Sequence, residues 1–272
     1  LHPDGPEKML MDFGVEPESF KEKELLEWFK DVQLHQSTKT TEGIFAPWAF
    51  YKSDFQEIGG HDPLYAPQSK EDSDIFNRFQ LNGIKFVQTW GGCVYHMTCR
   101  GSRRNTVDKA KNIYEDSPEW LAQNQRSTKN FIRKWGHFVK HDIFMKPIIP
   151  PKYDIGLIVK NGSTQLLEVL EPWCSTVYIN DANGNQYTQY VEKEQPNTTI
   201  DLSEKIKPYD NEKNNEILVT IEGNIFNQQD FGYIQQLSEI LNNSGEIGSF
   251  EIGNLHIDVI QINTYEKELI KL

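Results

Sequence analysis

The chain has 272 residues, of which 37% are hydrophobic, and its formal net charge is −12 at pH 7. This length allows one large domain or two modest ones. A transmembrane helix is not expected because no run of about 18 apolar residues occurs, and no signal peptide is visible. The negative charge, with no alternation of aromatic and basic residues, argues against nucleic acid as a partner.

The three cysteines, Cys93, Cys99 and Cys174, show no CxxC spacing. An odd number without paired spacing argues against a disulfide framework or a zinc site and favours a reducing, cytoplasmic compartment. The first residue is Leu1 rather than Met, which suggests a fragment or a processed chain.

Charge is unevenly distributed along the chain. Residues 1–150 carry a net charge of −1, whereas residues 151–272 carry −11. Within the first part, residues 97–146 hold 11 basic and 5 acidic side chains. Such a tract attracts phosphates or an anionic membrane surface, so peripheral membrane contact is one expectation. The alternative is a solvated helical face.

The first half of the chain is expected to alternate helices, strands and loops. Residues 1–20 are interrupted by three prolines and predict a loop. Leu25, Leu26 and Phe29 repeat at helical spacing and predict a helix over residues 20–36. The other predicted elements are a strand at 44–51, a short helix capped by Ser53, a helix at about 70–83, strands at 84–89 and 93–97, and helices at about 106–115 and 118–140, the last starting at Ser117-Pro118.

The proline-rich stretch at 147–151 (PIIPP) predicts a boundary, after which a small separate α/β unit is expected. No phosphate loop, metal-ligand spacing or nucleophile arrangement occurs beyond it, so packing, assembly or acceptor contact is its expected role. The predicted elements are strands at 155–159, 175–179, 187–191 and 217–221, helices at 163–170 and 228–241, and a hairpin of 250–252 with 255–262.

The most informative stretch is KEDSDIFNRFQLNG at residues 70–83. Three acids, Glu71, Asp72 and Asp74, open its helical pattern. Acids in a first turn suit the helix dipole, and Ser69 with Asp72 has the spacing of a capping box, so helix capping is one interpretation. The other interpretation is an acid cluster that carries chemistry.

Several spaced segments point to one family. They are GIFAPWAFYKSDFQEIGGHDPLY from Gly43, the E-D-S-D stretch, GIKFVQTWGGCVYHMTCRGSR from Gly83, FIRKWG from Phe131, and the opening LHPDGPEKMLMDFGVEPESF. Residues 1–140 resemble the acceptor half of an inverting family-2 glycosyltransferase of the GT-A fold. The resemblance implies the fold class α/β, with a partial GT-A-like (Rossmann-like) half domain over 1–146 and a small separate α/β accessory domain over 152–272.

The resemblance also implies site residues. The Asp of the family's E-D pair is the general base, which falls on Asp72, and Glu71 would orient it or contact a substrate. Neighbouring acids raise the pKa of a carboxylate, which suits it to take a proton from the acceptor hydroxyl. Asp74 is expected to be structural. The family places a late metal ligand at His96, for manganese or magnesium, and the alternative is a histidine hydrogen-bonded at a strand end.

Other candidates come from side-chain chemistry. Arg100, Ser102 and Arg103 suit the donor's diphosphate, since guanidinium groups and loop amides hold anions, with loop solvation as the alternative. Trp48 is a candidate platform for the acceptor sugar, with core packing as the alternative. Arg78 is assigned to the acceptor side, where it would reach back to the acids, with a surface arginine as the alternative.

The resulting hypothesis is transfer of a hexose from a nucleotide-sugar donor to a glycan or lipid-linked acceptor, in the cytoplasm or at a membrane surface. The family's nucleotide-binding half, with its D-x-D metal motif, is expected to precede Leu1, so little activity is expected from this chain alone. The alternative is a non-catalytic carbohydrate-binding or assembly module on the same scaffold.

Overall fold

The structure is a computed structural model that describes residues 9–44, 47–97, 104–108, 113–180 and 185–272. In the described part of the first half, four α-helices accompany two small antiparallel strand pairs. The helices are α1 (Glu22–Gln36), α2 (Lys52–Glu57), α3 (Glu71–Leu81) and α4 (Pro118–Trp135). The pairs are β1 (Thr40–Thr41) with β2 (Gln88–Thr89), and β3 (Arg104–Asp108) with β4 (Ile113–Asp116).

The predicted helices that became α1, α3 and α4 are confirmed, but two predicted strands in this half are wrong. The described residues of 44–51 and 93–97 form no strand. Pro47 cannot donate to a strand ladder. The second segment is anchored through a side chain instead, because the Tyr95 hydroxyl accepts from the Phe13 amide at 3.1 Å and donates to the Gly14 carbonyl at 2.9 Å.

The predicted helix at about 106–115 is also wrong, because parts of β3 and β4 occupy that range. Thr106 and Val107 are β-branched, and Ile113 and Tyr114 are β-branched and aromatic, respectively. Such residues lose rotamer freedom in a helix and favour strands. The prediction gave too little weight to this propensity.

The second half is built on a six-stranded sheet in the order β7-β6-β5-β8-β10-β9. Strands β5 (Ile155–Lys160), β6 (Thr176–Ile179), β7 (Ile206–Pro208) and β8 (Ile217–Glu222) are parallel, whereas β10 (Leu255–Val259) is antiparallel to both β8 and β9 (Gly248–Ile252). The helices between them are α5 (Thr164–Leu170), α6 (Asn185–Glu194), α7 (Leu202–Lys205) and α8 (Gln228–Ser244). The protein is therefore mixed α/β with a mostly parallel sheet, which confirms the predicted α/β fold class.

One face of this sheet forms the largest hydrophobic core. Alternate residues of paired strands point to the same face, and Leu157, Val177, Val219 and Ile257 are all fully buried there. The helices contribute buried side chains to the same core, namely Leu167 and Leu170 of α5, Tyr190 of α6, Leu202 of α7, and Ile234, Leu237 and Leu241 of α8.

The predicted strand at 187–191 is wrong, since these residues lie within α6. Tyr187, Tyr190 and Val191 have high strand propensity, yet their 3–4 spacing also forms one face of a helix. That face packs in the sheet core, and the Tyr190 hydroxyl donates to Glu171 Oε2 at 2.9 Å. Tertiary packing therefore overrides the local propensity.

The two predicted domains contact one another through hydrophobic side chains. Ile132 of α4 belongs to the core of the six-stranded sheet. The chain end returns to the first half, where Leu269 packs with Phe131 and Trp135, and Ile270 packs with Ile58. Helix α4 and this tail thus connect the two halves through buried contacts on both sides of the predicted boundary.

Much of the described basic tract at 97–146 is engaged within the protein. Arg133 is buried, Lys134 binds Asp62 and Asp74, and Lys146 lies 3.0 Å from Glu42. The tract is therefore not a uniformly solvated helical face, and part of its charge is neutralised. Among the described residues, no helix has both the length and the apolar character needed to cross a bilayer.

Candidate active site at the start of helix α3

The loop before α3 holds an unusual backbone conformation. Ser69 and Lys70 both have positive φ, at 80° and 73°. No side chain caps the helix, because the Ser69 hydroxyl donates instead to Asn124 Oδ1 of α4 at 2.8 Å. The proposed Ser69–Asp72 capping box is therefore wrong. Consecutive left-handed residues other than glycine cost energy and occur preferentially where a functional site requires them.

Helix α4 holds this loop in place. Lys70 Nζ donates to Asn124 Oδ1 at 3.0 Å, and Gln123 Nε2 donates to the Gln68 carbonyl at 2.8 Å. Arg126 Nη2 donates to the Ala66 carbonyl at 3.0 Å. These contacts come from residues more than 50 positions away along the chain. They fix the direction in which α3 begins and hence the position of its first acids.

Glu71 and Asp72 lie together at this helix start. Asp72 is exposed and Glu71 is half-buried. Burial of the surrounding region raises the pKa of both carboxyl groups, and the charge of Asp72 raises that of Glu71 further. Glu71 Oε2 is buried and has no hydrogen-bond partner among the described residues. The pair therefore combines solvent access with elevated proton affinity, as a general base requires.

His61 also acts on these acids, which the sequence analysis missed. Its charge opposes the effect of burial and lowers the pKa of both Glu71 and Asp72. The imidazole is exposed and packs edge-on against the Phe55 ring, with 5.3 Å between ring centroids. The only sequence signal was a histidine directly after the Gly59-Gly60 turn, ten residues before the acids.

Asp74 and Arg78 face the opposite way, into the protein. Both are fully buried, and Arg78 Nε lies 2.8 Å from Asp74 Oδ2. The remaining Arg78 donors bind the carbonyls of Ile58, at 2.7 Å, and Gly60, at 2.6 Å. The structural role predicted for Asp74 is confirmed. The surface alternative for Arg78 is wrong, because the side chain is 0% exposed. The expected reach back to the acids is confirmed for Asp74, but the fully buried position does not fit contact with an acceptor.

Trp48 lies on the same side of α3 as Asp72. Its ring packs edge-on against Phe76, with 4.8 Å between centroids, and Phe76 is one helical turn after Asp72. A second contact joins Trp48 to Phe50 at 5.1 Å. Trp48 is half-buried, so it is neither a free surface ring nor a sealed core residue. The structure thus places Trp48 against Phe76, one turn along the helix from Asp72.

The predicted metal and diphosphate residues are not part of the described cluster. His96 is exposed, and Arg100, Ser102 and Arg103 lie outside the described residues. Across the part of the chain that the structure describes, no group of three or more His, Cys, Asp or Glu side chains could hold a metal ion. The divalent ion therefore remains a prediction.

The amino ends of the parallel strands, rather than their carboxyl ends, lie at helix α4. Residues just before the parallel strands, namely Lys152, Glu171 and Lys205, cluster at the α4 interface, where Lys152 Nζ donates to the Arg133 carbonyl at 2.8 Å. The carboxyl ends, where ligands bind in open α/β sheets, therefore point away from α4. At those carboxyl ends Lys160 pairs with Glu222 at 3.0 Å.

Comparison with known proteins finds no family model, no curated protein and no solved structure that matches this chain.

Proposed function

We propose that the chain is the acceptor-side part of a family-2-type glycosyltransferase, which transfers a hexose from a nucleotide-sugar donor to a glycan or lipid-linked acceptor with inversion. The observation that carries the proposal is the position of Asp72. Its carboxylate reaches solvent, its pKa is raised by burial, and Trp48 lies on the same side of the helix.

In this proposal, Asp72 accepts the proton of the acceptor hydroxyl as that oxygen attacks the anomeric carbon of the donor sugar. A carboxylate with raised proton affinity is a better base for a hydroxyl than one with an ordinary pKa. Glu71 is next to Asp72 in the chain, and in the proposal it remains the residue that orients Asp72 or contacts a substrate. Trp48 offers an aromatic surface for a sugar ring.

The contribution of Arg100, Ser102 and Arg103 to diphosphate binding stays a prediction, as does binding of a divalent ion. In the metal-dependent enzymes that the chain resembles, a divalent ion stabilises the charge of the departing nucleoside diphosphate. Peripheral contact with an anionic membrane surface also remains a proposal, weakened by the internal pairing of several basic side chains.

The test is a transfer assay with a panel of nucleotide-sugars, using protein expressed from its complete natural reading frame. We expect Asp72→Asn to lower kcat/KM by about 100-fold or more, the usual range for loss of a general base, while glycan binding is retained. Asp31→Asn, a change at an exposed acid of α1, is the matched control and retains activity.

Transfer by Asp72→Asn at the wild-type rate would show that another group is the base. If the wild-type protein binds glycans but transfers no sugar from any donor, the chain is a non-catalytic carbohydrate-binding module instead.

A further inference from the structure

We propose that strand β9 is a self-association surface, at which a second copy of this chain adds its own β9 in the antiparallel direction and extends the six-stranded sheet. The inference is independent of the proposed function. Strand β9 is the last strand of the sheet, and in the part of the chain that the structure describes no strand covers its outer side. An edge strand presents a row of backbone N–H and C=O groups that can pair with another chain.

The two edges of the sheet differ in how well they are protected against such pairing. The opposite edge is β7, which has three residues and ends in Pro208, a residue without an amide N–H. Strand β9 has five residues and contains neither proline nor lysine, the residues that commonly block an edge. Its one charged side chain, Glu251, projects from a face of the sheet rather than along the edge. Strand β9 is therefore the edge that can accept another strand.

The hairpin that joins β9 to β10 determines which backbone groups of β9 point outward. Its two-residue turn, Gly253-Asn254, begins with a glycine whose φ is 59°, and it brings Ile252 opposite Leu255. A two-residue turn of this kind is closed by a hydrogen-bonded pair, and hydrogen-bonded and non-hydrogen-bonded pairs alternate along an antiparallel ladder. The position of the turn therefore sets the direction of every backbone group in β9.

Three residues of β9 use their backbone groups within the sheet. Gly248, Phe250 and Ile252 are the hydrogen-bonded partners of β10, because they lie an even number of positions from the turn. The N–H and C=O groups of Ser249 and Glu251 consequently point to the outer edge. These two residues supply the backbone donors and acceptors that a second strand can use.

One register matches both the backbone groups and the charges of two copies. If Phe250 lies opposite Phe250 of the second copy, Ser249 of each copy lies opposite Glu251 of the other, and each of these pairs exchanges both of its N–H···O bonds. A register centred on Glu251 would place two carboxylates directly opposite each other, which is unfavourable. A register centred on Ser249 would form only one hydrogen-bonded pair within the strand. The register centred on Phe250 is therefore the one we assign.

The side chains of β9 suit this register. Phe250 is half-buried against the sheet core, and it would occupy a non-hydrogen-bonded position, where opposing side chains come closest and an aromatic pair is stabilising. Ile252 of one copy would lie opposite Gly248 of the other, around which the structure leaves open space. A two-fold axis through the Phe250 pair relates the copies, so the assembly is a closed dimer. Its interface is small, and the association is therefore expected to be weak.

The first test is sedimentation equilibrium of the purified chain up to high micromolar concentration, where we expect a monomer–dimer equilibrium. Ser249→Lys places a cation opposite Glu251 of the second copy in both pairs and should lower the dissociation constant of the dimer by about tenfold. Ser249→Glu places carboxylates opposite each other and should raise it by about tenfold. Ser249→Ala is the matched control and should change it little. Ser249 is exposed, so each variant should stay folded, which urea unfolding verifies.

The second measurement locates the surface by amide hydrogen exchange at low and high protein concentration. The amides of Ser249 and Glu251 should exchange more slowly at high concentration, whereas the amide of Phe250, already bonded to β10, should change little.

A wild-type chain that stays monomeric at every concentration overturns the inference. A dimer with the same dissociation constant in Ser249→Lys and Ser249→Glu also overturns it, because the two copies then meet at another surface. A dimer that Ser249→Lys weakens contradicts the assigned register, since lysines oppose each other only in the register centred on that residue. None of these variants changes a residue of the proposed active site, so the outcome is separate from that of the transfer assay.

Discussion

Asp72 and Asp74 are two residues apart on α3 and have opposite environments. Positions i and i+2 lie on different sides of a helix, so only one of the two acids can share the inward face of Ile75 and Phe79. Asp74 does so, and it is joined there by Arg78 at i+4. The charged pair thus occupies a helical face that otherwise looks apolar. The sequence showed the spacing of these residues but not that the arginine points inward.

We predict that Arg78→Met strongly lowers the free energy of unfolding of the protein. The change removes the buried ion pair of Arg78 with Asp74, which then keeps Lys134 as its remaining cation, and leaves the carbonyls of Ile58 and Gly60 without donors. Removing one partner of a buried pair costs about 3–5 kcal/mol, which urea unfolding measures directly.

The matched control is Lys85→Met, which removes an exposed lysine 4.0 Å from Glu42 and should cost less than about 1 kcal/mol. If Arg78→Met lowered the free energy of unfolding as little as the control does, the structural role given to this arginine would be contradicted.

Among the elements, α4 illustrates what local sequence signals can establish. The Ser117-Pro118 signal correctly located its start, since the Ser117 hydroxyl accepts the Trp120 amide at 3.2 Å and Pro118 is the first helical residue. The same reasoning failed for α2, where Ser53 lies inside the helix and Tyr51 is the N-cap residue. Capping depends on the backbone conformation of the residue before the helix, which a serine alone does not determine.

These two serines provide a paired prediction. Ser117→Ala should lower the free energy of unfolding by about 1 kcal/mol, because one amide of the first turn loses its acceptor. Ser53→Ala should change it by less than about 0.5 kcal/mol, as expected for an exposed position without a cap bond. Chemical denaturation of both variants measures these changes in the free energy of unfolding. Equal decreases in the two variants would contradict the assignment of Ser117 as the cap.

For the whole molecule, α4 is the element that joins the two halves. Its Arg133 is buried and contacts Glu171 at 2.7 Å and Glu194 at 2.8 Å, both from the second half. Lys205 lies 2.7 Å from the same Glu171 carboxylate, and the Tyr190 hydroxyl donates to it. This charged cluster lies at the amino ends of the parallel strands, next to the hydrophobic contacts of Ile132.

The cluster predicts a dependence of stability on pH. Burial by itself would raise the pKa of Glu171, but Lys205 and Arg133 outweigh burial and lower it from 4.5 to about 2. A carboxyl group with a lowered folded-state pKa contributes stability above its ordinary pKa, and that stability is lost as the pH falls from about 4.5 towards about 2. The shift corresponds to about 3 kcal/mol.

Urea unfolding between pH 6 and pH 2 tests this by comparing the wild type with Glu171→Gln. The variant should be less stable at pH 6 and should lose about 3 kcal/mol less over this range. Glu239→Gln, a change at an exposed acid beside Lys140, serves as the control and should follow the wild type. A variant that loses as much stability as the wild type would show that Glu171 does not titrate as proposed.

The features that depend on neighbouring residues could be predicted from the sequence alone. The periodicity of α1 and α3, the start of α4, the apolar runs of β5 and β8, and the acid pair Glu71–Asp72 were all visible without coordinates, because each is encoded within a few consecutive residues. Local signals failed where propensity was ambiguous, as at residues 106–115 and 187–191.

The burial of Arg78 and the joining of the two halves by α4 could be seen only in the tertiary structure. Each of these features depends on contacts between residues that are distant in sequence, and their energies follow from burial and charge in the folded state. No pattern of nearby residues specifies which distant side chain will supply the partner.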